Sequence, residues 1–375
     1  MNGTVLTIAV LCSSAFLHGQ TTAPPIIKVT LLGTGTPAAF AAGYYASGRV
    51  TAGLLIEAGG ERMLFDCGQG IVQRLLQSGG SEQNVKNPNP NLGPNVGVDK
   101  VFISHLHSDH MADLPALYSL GWLWRQSDPS QNGPDVIPPL RVWGPGPGAN
   151  QPIGTASMMG LFRLAFSTDF VQRALLTPIY PLSLDGIEVE NNVVDLWPDV
   201  VYISKDGKVK VTAFLVDHRP VEPSYGFRVD YAGKSVVFSG DTRFSSNLVN
   251  ASKGADLVIH EVYAWPDFSS KEFGPDTIFN YHTTPEDAAR VFNQTAPKMA
   301  VYTHIGAPPG TTPQDIIDRT RKGGYTGPLT VGSDLMVINV NATDITTIAP
   351  KNVPPVAQAL PSAPESFMRL RRPTF

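Results

Sequence analysis

Clustered positive charge, which proteins use to bind nucleic acid backbones, is nearly absent from this sequence. Charged residues make up only 16% of the chain, and the net charge is −4. The one tight basic cluster, Arg369, Arg371 and Arg372, lies in a Pro-rich stretch near the C-terminus, where we predict a solvated tail. The charge balance therefore gives no indication of a polyanionic partner.

Cysteine is almost as scarce, with two residues in the whole chain. Cys12 lies in an apolar N-terminal segment that we expect to be removed, so Cys67 is left alone and no internal disulfide can form in the mature chain. Because Cys67 follows an apolar run, we predict that it is a small buried residue and not a nucleophile.

Apolar runs long enough to span a membrane are also lacking. Residues 4–17 (TVLTIAVLCSSAFL) are too short for a comfortable span and resemble the core of a signal peptide, although no Lys or Arg precedes them. We therefore predict a signal peptide over residues 1–22, no membrane span after its removal, and a secreted or periplasmic protein.

From residue 25 onward, short apolar runs alternate with amphipathic stretches, a pattern typical of α/β proteins. We predict one α/β domain over residues 25–345 and a loosely ordered, Pro-rich tail over residues 346–375. The predicted strands are 26–32, 53–58, 62–66, 99–104, 140–143, 208–217, 226–231, 235–239, 256–260, 299–303, 328–331 and 335–339. The predicted helices are 70–78, 111–125, 155–175, 313–322 and one that begins at Thr284-Pro285.

Metal-binding side chains are concentrated in one short segment that directly follows the predicted strand 99–104. Three of the eight histidines lie there, together with Asp109, in the sequence His105-Leu106-His107-Ser108-Asp109-His110. Strand ends are where α/β sheets place ligand sites, and imidazole and carboxylate groups suit zinc. We predict that His105 and His107 face one metal and that Asp109 and His110 reach a second.

A site for two metals needs more ligands, and three candidates each follow another predicted strand. They are His218, Asp241 and His304. Each could alone be a surface histidine or a turn aspartate. Together with the first cluster, they predict a metal centre that is assembled at the ends of several strands.

The segment HLHSDH resembles the H-x-H-x-D-H signature of the metallo-β-lactamase fold superfamily. Further motifs are similar to the branch that contains ribonuclease Z and the zinc-dependent arylsulfatases; they lie at residues 32–37, 66–70, 239–243, 260–261 and 282–284. The resemblance covers roughly residues 26–345 and implies an αββα four-layer sandwich with hydrolase activity.

The resemblance also implies a ligand set, carried over motif by motif. Metal one takes His105, His107 and His218, metal two takes Asp109, His110 and His304, and Asp241 bridges them. We expect two zinc ions per chain, with manganese or iron as alternatives. The histidine at position 107 argues against the oxygen-reducing di-iron members of this fold, which typically carry Glu there.

Two divalent ions about 3.5–4 Å apart can hold a bridging hydroxide at neutral pH. We expect Asp109 to orient it and His282 to protonate the leaving group, as ribonuclease Z-like enzymes use the corresponding histidine. The alternative for His282 is a purely structural contact with the helix that follows it.

Four further residues are predicted to contact the site residues and hold them in position. We expect His260, Glu261 and Asp113 to orient metal ligands or His282. Asp66 is expected to fix the glycine turn beneath the site.

Ribonuclease Z proper normally carries a long tRNA-gripping arm between the ligands that match His218 and Asp241. Here that interval holds only two predicted strands, which, with the acidic charge and the export signal, argues against tRNA. We favour a small-molecule ester as the substrate and an arylsulfatase-like sulfate ester hydrolase as the activity. A phosphodiesterase is the second choice and a lactonase the third.

A non-catalytic metal-binding protein is the alternative from another class, and the complete ligand set argues against it. Because members of the resembled family are often dimers, a homodimer is also considered.

Overall fold

The computed structural model describes residues 25–37, 48–78, 98–124, 139–176, 184–194, 198–265, 280–308 and 310–350. The predicted signal peptide and residues 351–375 of the predicted tail lie outside these ranges. No helix in the described part of the chain combines the length and the apolar character that crossing a membrane requires.

The strands within the described ranges form two sheets. They are β1 (Ile27–Gly33), β2 (Gly53–Ala58), β3 (Glu61–Phe65), β4 (Lys100–Phe102), β5 (Leu140–Pro145), β6 (Val189–Val194), β7 (Asp199–Ile203), β8 (Lys210–Leu215), β9 (Tyr225–Tyr231), β10 (Lys234–Phe238), β11 (Leu257–Tyr263), β12 (Met299–Gly306), β13 (Leu329–Val331), β14 (Met336–Val340) and β15 (Ile345–Ile348). The first sheet has the order β15-β14-β1-β2-β3-β4-β5-β6, and the second has the order β13-β12-β11-β10-β9-β8-β7.

Helices cover the outer face of each sheet. The described helices are α1 (Ile71–Gln77), α2 (Ser108–Met111), α3 (Leu114–Trp124), α4 (Thr155–Ala165), α5 (Ser167–Leu176), α6 (Ser246–Ser252), α7 (Pro285–Thr295) and α8 (Pro313–Lys322), with a 3-10 turn at Leu184–Ile187. Helices α1, α3 and α4 pack on the first sheet, and α6, α7 and α8 pack on the second.

Strand alternation explains how the layers are held together. In β1, Val29 and Leu31 face the interior between the two sheets, whereas Leu32 packs into the outer core beneath the helices. Phe292 of α7 and Ile316 of α8 belong to the matching outer core of the second sheet. Three parallel apolar cores thus separate four layers, and the predicted αββα sandwich is confirmed.

The structure differs from the sequence prediction mainly in edge strands and helix breaks. Strands β6 and β7, which lie at sheet edges, were not predicted. Backbone pairing holds them while most of their side chains stay partly or fully exposed, so they carry no apolar alternation. The predicted helix 155–175 is divided at Phe166 into α4 and α5, and the predicted helix 111–125 begins earlier, as the single turn α2.

The topology brings several strand ends to one place. Strand β4 runs parallel to β3 and β5 in the first sheet, and β10, β11 and β12 run parallel in the second. The backbone N–H of Tyr225 donates to the carbonyl oxygen of Ser104, at 3.0 Å, and so joins the two sheets at this edge. The predicted metal-binding residues lie near or just after the ends of β4, β8, β10 and β12.

Candidate metal centre

All seven predicted ligands converge at this edge of the sandwich. They form two groups, and within each group the donor atoms all lie within 4.8 Å of one another. The first group is His105, His107, His218 and Asp241, and the second is Asp109, His110 and His304. All of these residues are buried except His107, which is partly exposed.

Asp241 lies between the two groups. Its Oδ2 is 3.2 Å from His110 Nε2, 3.4 Å from His304 Nε2 and 3.8 Å from His105 Nε2. Ligand atoms on one tetrahedral zinc are about 3.3 Å apart, since each lies about 2.0–2.1 Å from the ion. The other oxygen, Oδ1, is buried and has no hydrogen-bond partner among the described residues. This donor set fits divalent metal ions that share Asp241.

The 105–110 segment is held against the loop that follows β3. The N–H of Cys67 donates to the carbonyl oxygen of His110, at 2.7 Å, and the N–H of Ala52 donates to that of Asp109, at 3.1 Å. A Cβ on Gly68 would lie 1.9 Å from the Asp109 carbonyl oxygen, so only glycine permits this approach. Gly68 of the 66–70 motif therefore sets the position of Asp109.

Three of the histidines are fixed by contacts at the ring nitrogen that faces away from the centre. His218 Nδ1 donates to the Tyr281 carbonyl oxygen at 3.0 Å. The corresponding nitrogens of His105 and His110 contact Ser104 Oγ, at 3.0 Å, and Asp66 Oδ2, at 2.8 Å. Such contacts leave Nε2 as the donor atom for a metal. No sequence pattern pointed to Ser104 or Tyr281.

The described contacts of the Asp66 carboxylate do not include the glycine turn that we expected it to fix. The carboxylate accepts hydrogen bonds from the backbone N–H and the hydroxyl of Ser104, at 2.7 and 2.8 Å, in addition to its contact with His110. Asp66 therefore links the end of β4 to a predicted ligand.

Electrostatic effects keep three of these groups in the forms that bind metals, whereas at His110 burial is outweighed by the carboxylates of Asp241, Asp109 and Asp66, which raise the pKa well above its ordinary value. Burial lowers the pKa of His105 well below its ordinary value and that of His218 to about 3, so both rings are neutral. Burial alone would raise the pKa of Asp241, but the neighbouring His110 and His304 lower it well below its usual range. Metal binding needs neutral imidazoles and ionised carboxylates.

His282 lies beside the centre and is held by Glu261. Its Nδ1 is 3.0 Å from Glu261 Oε1 and 3.9 Å from Asp241 Oδ2. Burial lowers the pKa of His282, but the two carboxylates outweigh it and the net shift is upward. The following helix, α7, is capped by Thr284, whose hydroxyl accepts the N–H of Asp287, so His282 does not cap it.

Two residues that we expected to support the site lie elsewhere. His260 Nδ1 contacts the Glu261 carbonyl oxygen at 2.7 Å, and its ring packs against Phe292 of α7. Adjacent residues of a strand face opposite sides, so His260 points to the helix layer while Glu261 points to the site. Asp113 accepts the backbone N–H groups of residues 70 and 72, and thereby holds the start of α1. The expectation that His260 and Asp113 orient ligands was wrong.

Two protein-family models match parts of the chain. One, described as a beta-lactamase superfamily domain, matches residues 163–305, and one described as the anti-Pycsar protein Apyc1 matches residues 27–121. The ribonuclease Z of Mycolicibacterium gilvum is 32% identical over 289 residues, which cover 74% of this chain and 84% of the relative. The ribonuclease Z of Mycobacterium sp. strain KMS is 30% identical over 325 residues, covering 84% and 97%.

Among solved structures, the metallo-beta-lactamase fold protein YhfI from Bacillus subtilis superposes with a TM-score of 0.54. The match covers 83% of this chain and 98% of that one, at 18% identity. At this identity the likeness speaks to the fold alone.

These relatives contradict the expectations of a small-molecule ester substrate and of no tRNA partner. The match extends over nearly the whole of the second relative, even though the interval between β8 and β10 holds no room for an arm. That interval tests only one place where a substrate-binding element could be inserted. The net charge of the whole chain likewise says little about charge at one surface. Both arguments against tRNA were therefore too weak.

Proposed function

Because the chain belongs to the ribonuclease Z branch of the metallo-β-lactamase superfamily and is a metal-dependent hydrolase, we propose that it cleaves phosphodiester bonds in RNA. The observation that carries this proposal is the placement of the His282–Glu261 pair beside Asp241. That arrangement sets a proton donor next to the carboxylate shared by two groups of ligands.

The proposed cofactor is a pair of zinc ions. His105, His107 and His218 would hold one, Asp109, His110 and His304 would hold the other, and Asp241 would contact both. When bound, two adjacent divalent ions lower the pKa of a water molecule and stabilise negative charge on a phosphoryl group. The short distances from Asp241 Oδ2 to a histidine of each group, 3.2 Å to His110 Nε2 and 3.8 Å to His105 Nε2, support this assignment.

The side chains supply the proton transfers. Asp109 Oδ2, which lies 3.0 Å from His304 Nε2, would orient the attacking water. The water loses one proton to solvent as its oxygen bonds to phosphorus, the bond to the leaving 3′ oxygen breaks, and that oxygen takes a proton from His282. Since Glu261 contacts Nδ1 of His282, Nε2 is the nitrogen left to face the substrate. Burial raises the pKa of Glu261 and His282 opposes that shift, so the carboxylate and the ring favour each other's charged forms.

The proposed substrate class is RNA, and precursor tRNA in particular. The named activity of the relatives supports it, together with coverage of nearly the whole of the second relative. The expectation of a sulfate ester has no observation in its favour beyond the motifs that ribonuclease Z and the arylsulfatases share. Export remains a prediction, because residues 4–17 lie outside the described ranges.

Cleavage of a precursor tRNA that carries a 3′ extension, by purified zinc-loaded protein, tests the proposal. We expect a single cut that leaves a 3′ hydroxyl on the tRNA. Bis(p-nitrophenyl) phosphate and p-nitrophenyl sulfate should be assayed in parallel, with turnover of the diester and none of the sulfate. Turnover of the sulfate with intact RNA would overturn the proposal.

A further inference from the structure

His304 occupies an irregular position in its strand. Along the β11–β12 pair, Thr303 lies opposite Glu261 and Ile305 lies opposite Val262, so His304 has no counterpart on β11. Its φ is 43°, in the left-handed region that side chains other than glycine rarely adopt. A bulge of this kind redirects a side chain, and here it brings Nε2 to 3.0 Å from Asp109 Oδ2.

The ring of His304 has no hydrogen bond to hold it from behind. Its Nδ1 is buried and has no partner in the described part of the chain. His105, His110 and His218 each have such a contact at Nδ1. The position of the His304 ring therefore depends on its backbone and on the neighbouring rings of His282 and His110.

That backbone is braced by the loop after β1. The N–H of Ile305 donates to the carbonyl oxygen of Thr34 at 2.8 Å, and Gly35 forms an isolated parallel bridge with Ile305. Thr34 is fully buried. The strained peptide at His304 is thus held directly by the backbone of Thr34.

Thr34 is in turn held by Asp334. Oδ1 of Asp334 accepts hydrogen bonds from the N–H of Thr34, at 3.0 Å, and from its hydroxyl, at 2.8 Å. Oδ2 accepts from the N–H of Val50, at 2.8 Å, and from Arg74 Nη2, at 3.1 Å. Arg49 bridges the Thr34 hydroxyl and the Gly332 carbonyl oxygen. One oxygen of this buried carboxylate thus holds Thr34, and the other holds Val50 and Arg74.

We infer that Asp334 is a positioning residue for His304, acting through Thr34, and that it sets the affinity of the Asp109–His110–His304 metal site alone. Among the described residues, neither Asp334 nor Thr34 contacts the other site, which is formed by His105, His107 and His218. The inference rests on the proposed metal assignment. Removing a residue that orients a metal ligand commonly weakens binding about 10–100-fold.

Stepwise zinc affinity of the metal-stripped protein, measured by competition with a chromophoric chelator, tests the inference. His304→Ala identifies the binding step of one site, and His218→Ala identifies that of the other. We expect Asp334→Asn to weaken the step that His304→Ala removes by about 10–100-fold, and to leave the other step unchanged.

A purely structural role for Asp334 predicts a different result. Asp256→Asn is the matched control, because Asp256 is a buried carboxylate that binds Lys298 and the Ser235 N–H at the opposite ends of the strands. This control should lose stability and keep both zinc steps. If Asp334→Asn keeps both steps, or weakens both equally, the inference is wrong.

Thr34→Val provides a second variant should Asp334→Asn not fold. It removes the hydroxyl that contacts Asp334 and Arg49 but keeps the backbone contact to Ile305. We expect a smaller loss, confined to the same step, and unchanged binding would overturn the inference. A wild-type protein that binds no zinc would instead refute the proposed function.

Discussion

Nδ1 of His282 lies 3.0 Å from Oε1 of Glu261, and both side chains are buried beside Asp241. The same Glu261 oxygen accepts the backbone N–H of Thr242, at 2.9 Å, so the carboxylate is fixed from two directions. An imidazole held in this way has one orientation and one nitrogen free to act. We therefore expect the pair to function as a unit.

Because the two residues act as a unit, their substitutions should not be additive. His282→Ala is expected to lower kcat for RNA cleavage by about 100–10,000-fold, the usual range for loss of a general acid. Glu261→Gln should cause a smaller loss by itself and almost no further loss when His282 is already Ala. Single-turnover kinetics of the four proteins, with zinc content measured for each, would check this. Additive losses, or an active His282→Ala variant with full zinc, would remove the proton-donor role.

The close approach of Gly68 to the Asp109 carbonyl oxygen predicts a strong steric effect. Gly68→Ala should lower the free energy of unfolding by about 1–3 kcal/mol or more, because the added Cβ displaces the 105–110 segment. Zinc content should fall with it. Urea unfolding and metal analysis would measure both quantities.

Gly160 in α4 is the matched control for that substitution. A Cβ there meets nothing within 4 Å, so Gly160→Ala should raise stability by about 0.5–1 kcal/mol and leave zinc content unchanged. Equal effects of the two substitutions would contradict the steric account.

His260 predicts a specific dependence of stability on pH. Burial lowers its pKa to about 4, and Nε2 has no partner among the described residues. In the unfolded chain this imidazole has a pKa near 6.5, which is well above its pKa in the folded protein. The folded state therefore keeps its stability above about pH 6.5 and loses it as the pH falls toward 4.

His260→Leu removes this titration and fills a similar volume against Phe292. The variant should lose less stability than the wild type between about pH 6.5 and 4, by up to about 3 kcal/mol. The free energy of urea unfolding at several pH values would measure the difference. Parallel pH curves for the two proteins would show that His260 does not titrate in this way.

The seven predicted ligands could be found from the sequence because each lies near or just after the end of an apolar strand. Periodicity locates the strands, and parallel strands end at the same edge of a sheet. The contacts at Ser104, Tyr281 and Asp334 could not be found in this way. Asp334 meets Thr34 only because β14 pairs with β1, and no local pattern encodes that pairing.

The adjacent pair His260 and Glu261 shows a different limit. Both are fully buried polar residues within β11, and we expected both to serve the site. Strand alternation allows only one of them to face it, but the sequence does not say which. Edge strands such as β6 escaped prediction for a related reason, since pairing and not burial defines them.

The most direct test of the two-metal account is RNA cleavage as zinc is added back to metal-stripped protein. Cleavage of precursor tRNA should stay near zero without zinc, rise with added metal and level off at two equivalents per chain. Asp241→Asn should prevent this recovery, because its carboxylate contacts both groups of ligands. Full cleavage in the stripped protein, or a plateau at one equivalent, would contradict the account.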